Sequence, residues 1–152
     1  LNDNGAKAKA GNDWTETLVA KFQGLADDGV IQSFEGQTNF PQKHFEYEHQ
    51  YKADFILKTL DDKYIVVRSS ISFRGDRVKI FNWDVNGIKQ NSEISEDIVA
   101  TVLLFPDREG EDLGFTNRRN SIRRGYEYSP ASHIFLLSEF LSFLENYKDE
   151  IE

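Results

Sequence analysis

An aspartate at the head of an apolar run, two arginine clusters and a small group of acids and histidines are the residues with chemistry to offer. Asp54 stands near the start of the run Ala53-Asp-Phe-Ile-Leu-Lys-Thr-Leu60, where a carboxylate is out of place in a strand. Such a carboxylate either faces water at a strand edge or offers oxygen to a hard cation such as Mg²⁺. Arg74, Arg77 and Lys79 open a helical stretch. Cations there oppose the helix dipole, so a bound phosphate or a pairing with Asp76 or Asp84 has to justify them. Arg118, Arg119, Arg123 and Arg124 share one short segment with Asn117 and Asn120. Guanidinium forks match phosphate oxygens and guanine edges, where lysine supplies only a point charge. Salt bridges to acidic parts of the chain are the rival reading. His44, Glu46, Glu48 and His49 are either metal ligands or solvated loop side chains. Glu16 falls three residues after Asp13, the spacing of a capping box.

The elements that would position these groups follow from periodicity. Residues 1–11 are small and polar and read as a flexible arm, leaving 12–152 as one domain. Trp14, Leu18, Phe22 and Leu25 fall on one helical face from about Asp13, and Gly29 supplies a stop. Residues 30–34 suggest a short strand, and 35–52, containing Pro41, a loop or irregular hairpin. Residues 53–60 and 64–71 are β-branched and aromatic runs around the polar turn Asp61-Asp62-Lys63, which predicts a hairpin. Val78, Phe81, Val85 and Ile88 recur at helical intervals and predict a helix over 76–90. Residues 98–105 form a continuous apolar run ended by Pro106, as expected of a strand buried on both faces. The arginine-rich 117–125 reads as a short helix or loop. Residues 133–137 predict a last strand headed by a structural His133, and Ser138 is a candidate cap for a closing helix that carries Phe140, Leu141, Leu144 and Tyr147. Trp83 and Phe81 read as core or flanking residues of the middle helix, with base stacking as the alternative.

Composition narrows the partners. The 152 residues suit a single α/β domain in which a mixed sheet is flanked by helices. Twelve Phe, six Tyr and two Trp argue against disorder. With no cysteine there is neither a disulfide framework nor a thiolate site. No apolar run approaches the roughly 20 residues of a membrane span, so no membrane partner is expected and a cytoplasmic location is. A chain that begins at Leu1 and contains no methionine is expected to lack residues upstream. The net charge of -8 is unhelpful to a polyanion. Its distribution is less so: Arg68, Arg74, Arg77, Lys79 and Lys89 face only Asp76 and Asp84 within their stretch, and 117–125 holds four arginines and no acid. Two basic patches on an acidic body either steer a polyanion or form solvated faces.

The predicted order α-β-β-β-α-β, with one more strand and helix, resembles the core of the PD-(D/E)XK nucleases of restriction type. That family places an Asp at the start of one strand and an acid-x-Lys triplet on the next. In "HQYKADFILKTLDDKYIVVRSSISFRGDRVK" Asp54 opens the strand, and Arg68-Ser69-Ser70 stands fourteen positions on, where the triplet is expected. Ile71 to Arg77 is similar to the T-S-x-R-x-R run that often follows, and "HIFLLSEFLSFLENY" to the closing strand and helix. The resemblance spans about Asp13 to Tyr147. It implies a sequence-specific endonuclease that hydrolyses double-stranded DNA with Mg²⁺, as a homodimer or beside a companion nuclease subunit. It implies Asp54 as metal ligand and Glu16 as second acid. Arg74 and Arg77 would hold the scissile phosphate, Lys79 would bind DNA beside them, and Arg118, Arg119, Arg123 and Arg124 would read DNA. The departure lies in the triplet: Arg68 fills the acid's place and Ser70 the lysine's. Either the ligands come from elsewhere, such as Glu16, Glu46 or Glu48, or Ser70, Arg74 or Arg77 contacts the phosphate in a variant catalytic site. The remaining possibility is a catalytically silent fold that binds DNA or a partner subunit. An acidic interaction protein that never meets DNA is a third class.

Overall fold

The computed structural model describes residues 3–41, 50–71, 75–108 and 132–151. Its elements are α1 (Asp3–Asp27), β1 (Ser33–Pro41), β2 (Gln50–Lys58), β3 (Tyr64–Ser69), α2 (Gly75–Asn91), a 3-10 turn (Ser95–Asp97), β4 (Ile98–Phe105), β5 (Ser132–Leu136) and α3 (Leu137–Ile151). The five strands form one mixed sheet in the order β1-β2-β3-β4-β5. β1 to β3 are antiparallel neighbours, and β4 and β5 continue the sheet in parallel. The expected mixed α/β architecture is present. Among the described residues no helix is long and apolar enough to cross a membrane.

Helices α1 and α3 cover one face. Leu18 and Phe22 of α1 and Phe140 and Leu144 of α3 pack on Phe55, Leu57, Ile65, Val67, Val102 and Leu104. Helix α2 covers the other, with Phe81, Val85 and Ile88 against Ile56, Val66, Leu103 and Ile134. The strand β4 contributes to both clusters, which explains why its sequence is apolar without alternation. Each fully buried side chain of this size contributes on the order of 1.5–3 kcal/mol.

Three local expectations are corrected. First, α1 begins at Asp3, although residues 1–11 read as an arm and Asp13 as a helix start. Ala and Lys are among the strongest helix formers, so the alternating Ala-Lys stretch propagates the helix. Asp13 therefore lies inside it, where its carbonyl accepts the Thr17 hydroxyl at 2.9 Å, and the capping-box reading of Glu16 falls. Second, the 30–34 strand begins only at Ser33. Val30 belongs to a Schellman end of α1: Gly29 has φ 74°, its N–H donates to Ala26 O at 3.2 Å, and Val30 N–H donates to Leu25 O at 2.9 Å. The stretch 35–52, read as a loop or irregular hairpin, instead contributes most of β1 and the start of β2, which pair antiparallel. Third, Ser138 does not cap α3. The helix starts one residue earlier, Asp107 accepts the Ser138 N–H at 2.9 Å, and Glu139 accepts that of Leu136 at 2.8 Å.

The β2–β3 turn is closed by Thr59, whose hydroxyl accepts the Lys63 N–H at 2.9 Å. Asp62 takes the left-handed position at φ 63°. The turn is tied to α3 by Tyr147, whose hydroxyl donates to Asp61, 2.9 Å from Oδ2. On the opposite face, Gly87 of α2 sits directly under the buried Tyr51 ring, where a Cβ would collide with ring carbons. Propensity alone makes Gly87→Ala stabilising by about 1 kcal/mol. Overpacking a buried ring costs about 1–3 kcal/mol, so the variant is expected to be net destabilised in urea unfolding.

Candidate functional site

Phe55 of β2 faces Val67 of β3. One step further, where the ladder ends, the Asp54 carboxylate replaces a backbone acceptor: Ser69 N–H donates to its Oδ2 at 2.7 Å. The same oxygen lies 3.3 Å from Arg68 Nη1. Arg68 projects toward α2, with its guanidinium carbon 4.3 Å from the centroid of the Phe81 ring and its Nε 3.5 Å from Asp84 Oδ2. That Nε is buried and makes no hydrogen bond, so its contact with Asp84 is Coulombic. Asp84 Oδ1 accepts the Lys52 N–H at 3.1 Å. One guanidinium thus spans two carboxylates from different elements, and the cluster carries a net charge of about -1.

The cluster is largely withdrawn from solvent: side-chain exposure is 14% for Arg68 and 29% for Asp54, and 7% for Asp84. Burial raises the Asp54 carboxyl above its ordinary 3.8, and the Asp84 charge adds to this, against the opposing pull of Arg68 and the Ser69 N–H. The folded protein therefore holds the Asp54 proton more tightly than the unfolded chain. Its contribution to stability is greatest in acid and falls as pH rises from the ordinary carboxylate range through the raised value. A ¹³C titration of the Asp54 carboxyl is expected to give a midpoint above 3.8, and Asp54→Asn is expected to remove this part of the pH dependence of unfolding.

The sequence-derived site residues distribute unevenly. Asp54, Arg68 and the Ser69 backbone come together, whereas the Ser70 N–H donates to Leu104 O of β4 at 3.1 Å. Glu16 is exposed on α1, the helix covering the other face of the sheet. Arg77 and Lys79 lie in the first turns of α2. Arg74, His44, Glu46, Glu48, His49 and the Arg118, Arg119, Arg123 and Arg124 segment lie outside the described residues. His133 is stacked on Phe135, centroids 4.7 Å apart at 10°, and packs near Phe143. Asp84 is the member that sequence reasoning missed as a site residue. Its signal was position: an acid between Phe81, Val85 and Ile88 lies on the apolar side of its helix.

The described residues do not fit a Mg²⁺ site at this point. Asp54 Oδ2 already faces an N–H and a guanidinium, and a fixed cation beside the carboxylates repels a second one. Among the described residues no three His, Cys, Asp or Glu side chains group as metal ligands. Comparison with family models, curated proteins and solved structures finds no match.

Proposed function

We propose that this chain is a DNA-binding domain of restriction-endonuclease-like build, catalytically silent at the Asp54 position, where Arg68 replaces the metal as the cation between the acids. The reading is carried by one observation: Arg68 lies within ion-pair distance of both Asp54 and Asp84. It is supported further by the strand order and the β2–β3 pairing, which put Asp54 beside the segment where the family's triplet would stand. Arg74, Arg77 and Lys79 lead into α2 beside this cluster in sequence and, with the Arg118 to Arg124 segment, supply the phosphate contacts. The domain would work as a homodimer or beside a companion nuclease subunit that cuts.

Electrophoretic retardation of a short duplex tests the binding half. With about seven phosphate contacts, affinity should fall roughly 10³- to 10⁴-fold between about 50 and 200 mM salt. Charge-reversing Arg118 and Arg119 together should weaken it further. Absence of retardation at low salt would leave an acidic interaction protein as the better description. Mg²⁺-dependent cutting would establish instead the endonuclease reading, with Asp54 released from Arg68.

A further inference from the structure

Where α2 meets β2, an open pocket of about 320 Å³ is lined by Tyr51, Asn82, Trp83, Asn86, Gly87 and Gln90. The volume is at the small end of the roughly 300–1,000 Å³ of ligand sites. Among the described residues the lining combines two aromatic rings and three side-chain amides, with no charged group. Asn82, Asn86 and Gln90 recur every four residues and form one row along the helix, with Trp83 and Gly87 in the next row. Tyr51 reaches from β2 onto Gly87, and its ring centre is 4.7 Å from that of Trp83 at 56°. Trp83 is nevertheless 47% exposed. A large aromatic held against a buried tyrosine, half open to water and flanked by amides, offers an apolar ring surface with hydrogen-bonding groups at its edge.

We infer that this pocket takes an unpaired nucleobase, stacked on Trp83 and read by the amide row, with adenine preferred. Stacking needs a planar π-face and tolerates any base. The preference comes from the amides, because Asn and Gln can offer a donor and an acceptor together to the N6 and N7 positions of adenine. Rings and amides, which make up the described lining, suit a neutral base rather than a phosphate. A paired base is inaccessible to it, so the ligand is a single strand or a nucleotide swung out of the duplex. The inference deepens the proposed function and rests on its DNA-binding half.

Fluorescence anisotropy of labelled single strands separates the two. Oligo(dA) and an abasic strand of equal length and charge are titrated with the full chain and with Trp83→Ala and Trp83→Phe. Oligo(dA) is expected to bind about tenfold more tightly than the abasic strand. Trp83→Ala should reduce oligo(dA) to the abasic level without altering abasic binding, and Trp83→Phe should restore part of the difference. Oligo(dT) should fall between the two. Equal binding of oligo(dA) and abasic strand, unchanged in Trp83→Ala, overturns the pocket while leaving phosphate-driven binding intact. No binding of either strand, with no retardation of duplex, overturns both.

Discussion

Arg68→Ala is expected to destabilise the fold by about 3–5 kcal/mol at neutral pH, the cost of leaving buried charge without its partner. Two carboxylates, from β2 and α2, would then face each other across the space the guanidinium leaves, and Phe81 would lose the cation lying over its ring. Native stability is typically about 5–15 kcal/mol, so a large share would be lost. Because the Asp54 carboxyl already sits high and loss of Arg68 removes a downward pull, protonation of Asp54 limits the penalty. The loss should therefore shrink toward acid pH. Replacing all three members with apolar side chains of similar volume should recover most of the stability, since a buried ion cluster commonly does little better than good apolar packing. Urea midpoints at neutral and acid pH for the single and triple variants measure this. A single variant as stable as the parent would mean that the cluster is open to water.

Phe22→Ala should cost about 3–5 kcal/mol as well, for a different reason. Phe22 is fully buried and meets three rings edge-on: Phe55 at 5.0 Å, Phe34 at 5.9 Å and Phe140 at 6.1 Å between centroids. It thereby joins α1, β1, β2 and α3. Its loss leaves a cavity between elements far apart in sequence, which limits collapse around it. Phe22→Leu, which retains most of the volume, should cost clearly less. The check is a shifted denaturation midpoint with the slope unchanged. A changed slope would mean that α1 has detached and that the native state itself has altered.

What the sequence made legible, and what it did not, divides on the range of the interactions. The β2–β3 hairpin and β4 were readable because their apolar runs are local and the polar Asp61-Asp62-Lys63 stretch marks the turn between β2 and β3. The strand β1 was not: Ser-Phe-Glu-Gly-Gln-Thr-Asn-Phe-Pro has weak strand propensity, and only pairing with β2 makes it a strand. Its place at the sheet edge tolerates Pro41. The cap of α3 comes from Asp107, thirty-one residues before Ser138, a partner that no local pattern names. The site divides in the same way. Asp54 and the Arg68–Ser70 segment could be set side by side by counting around the hairpin. Asp84 could be placed on the inner side of its helix, yet only the packing of α2 on the sheet shows that it faces Arg68. The resemblance pointed to an acid in the triplet; Arg68 stands there, between Asp54 and Asp84 of α2.

Supercoiled plasmid incubated with the protein and Mg²⁺ or Mn²⁺, beside an EDTA control, tests most directly whether Arg68 has displaced a metal. Plasmid that is retarded at low salt yet stays supercoiled in every lane is the expected result. Nicked or linear DNA that appears only with the metal, and disappears in Asp54→Ala, would contradict it.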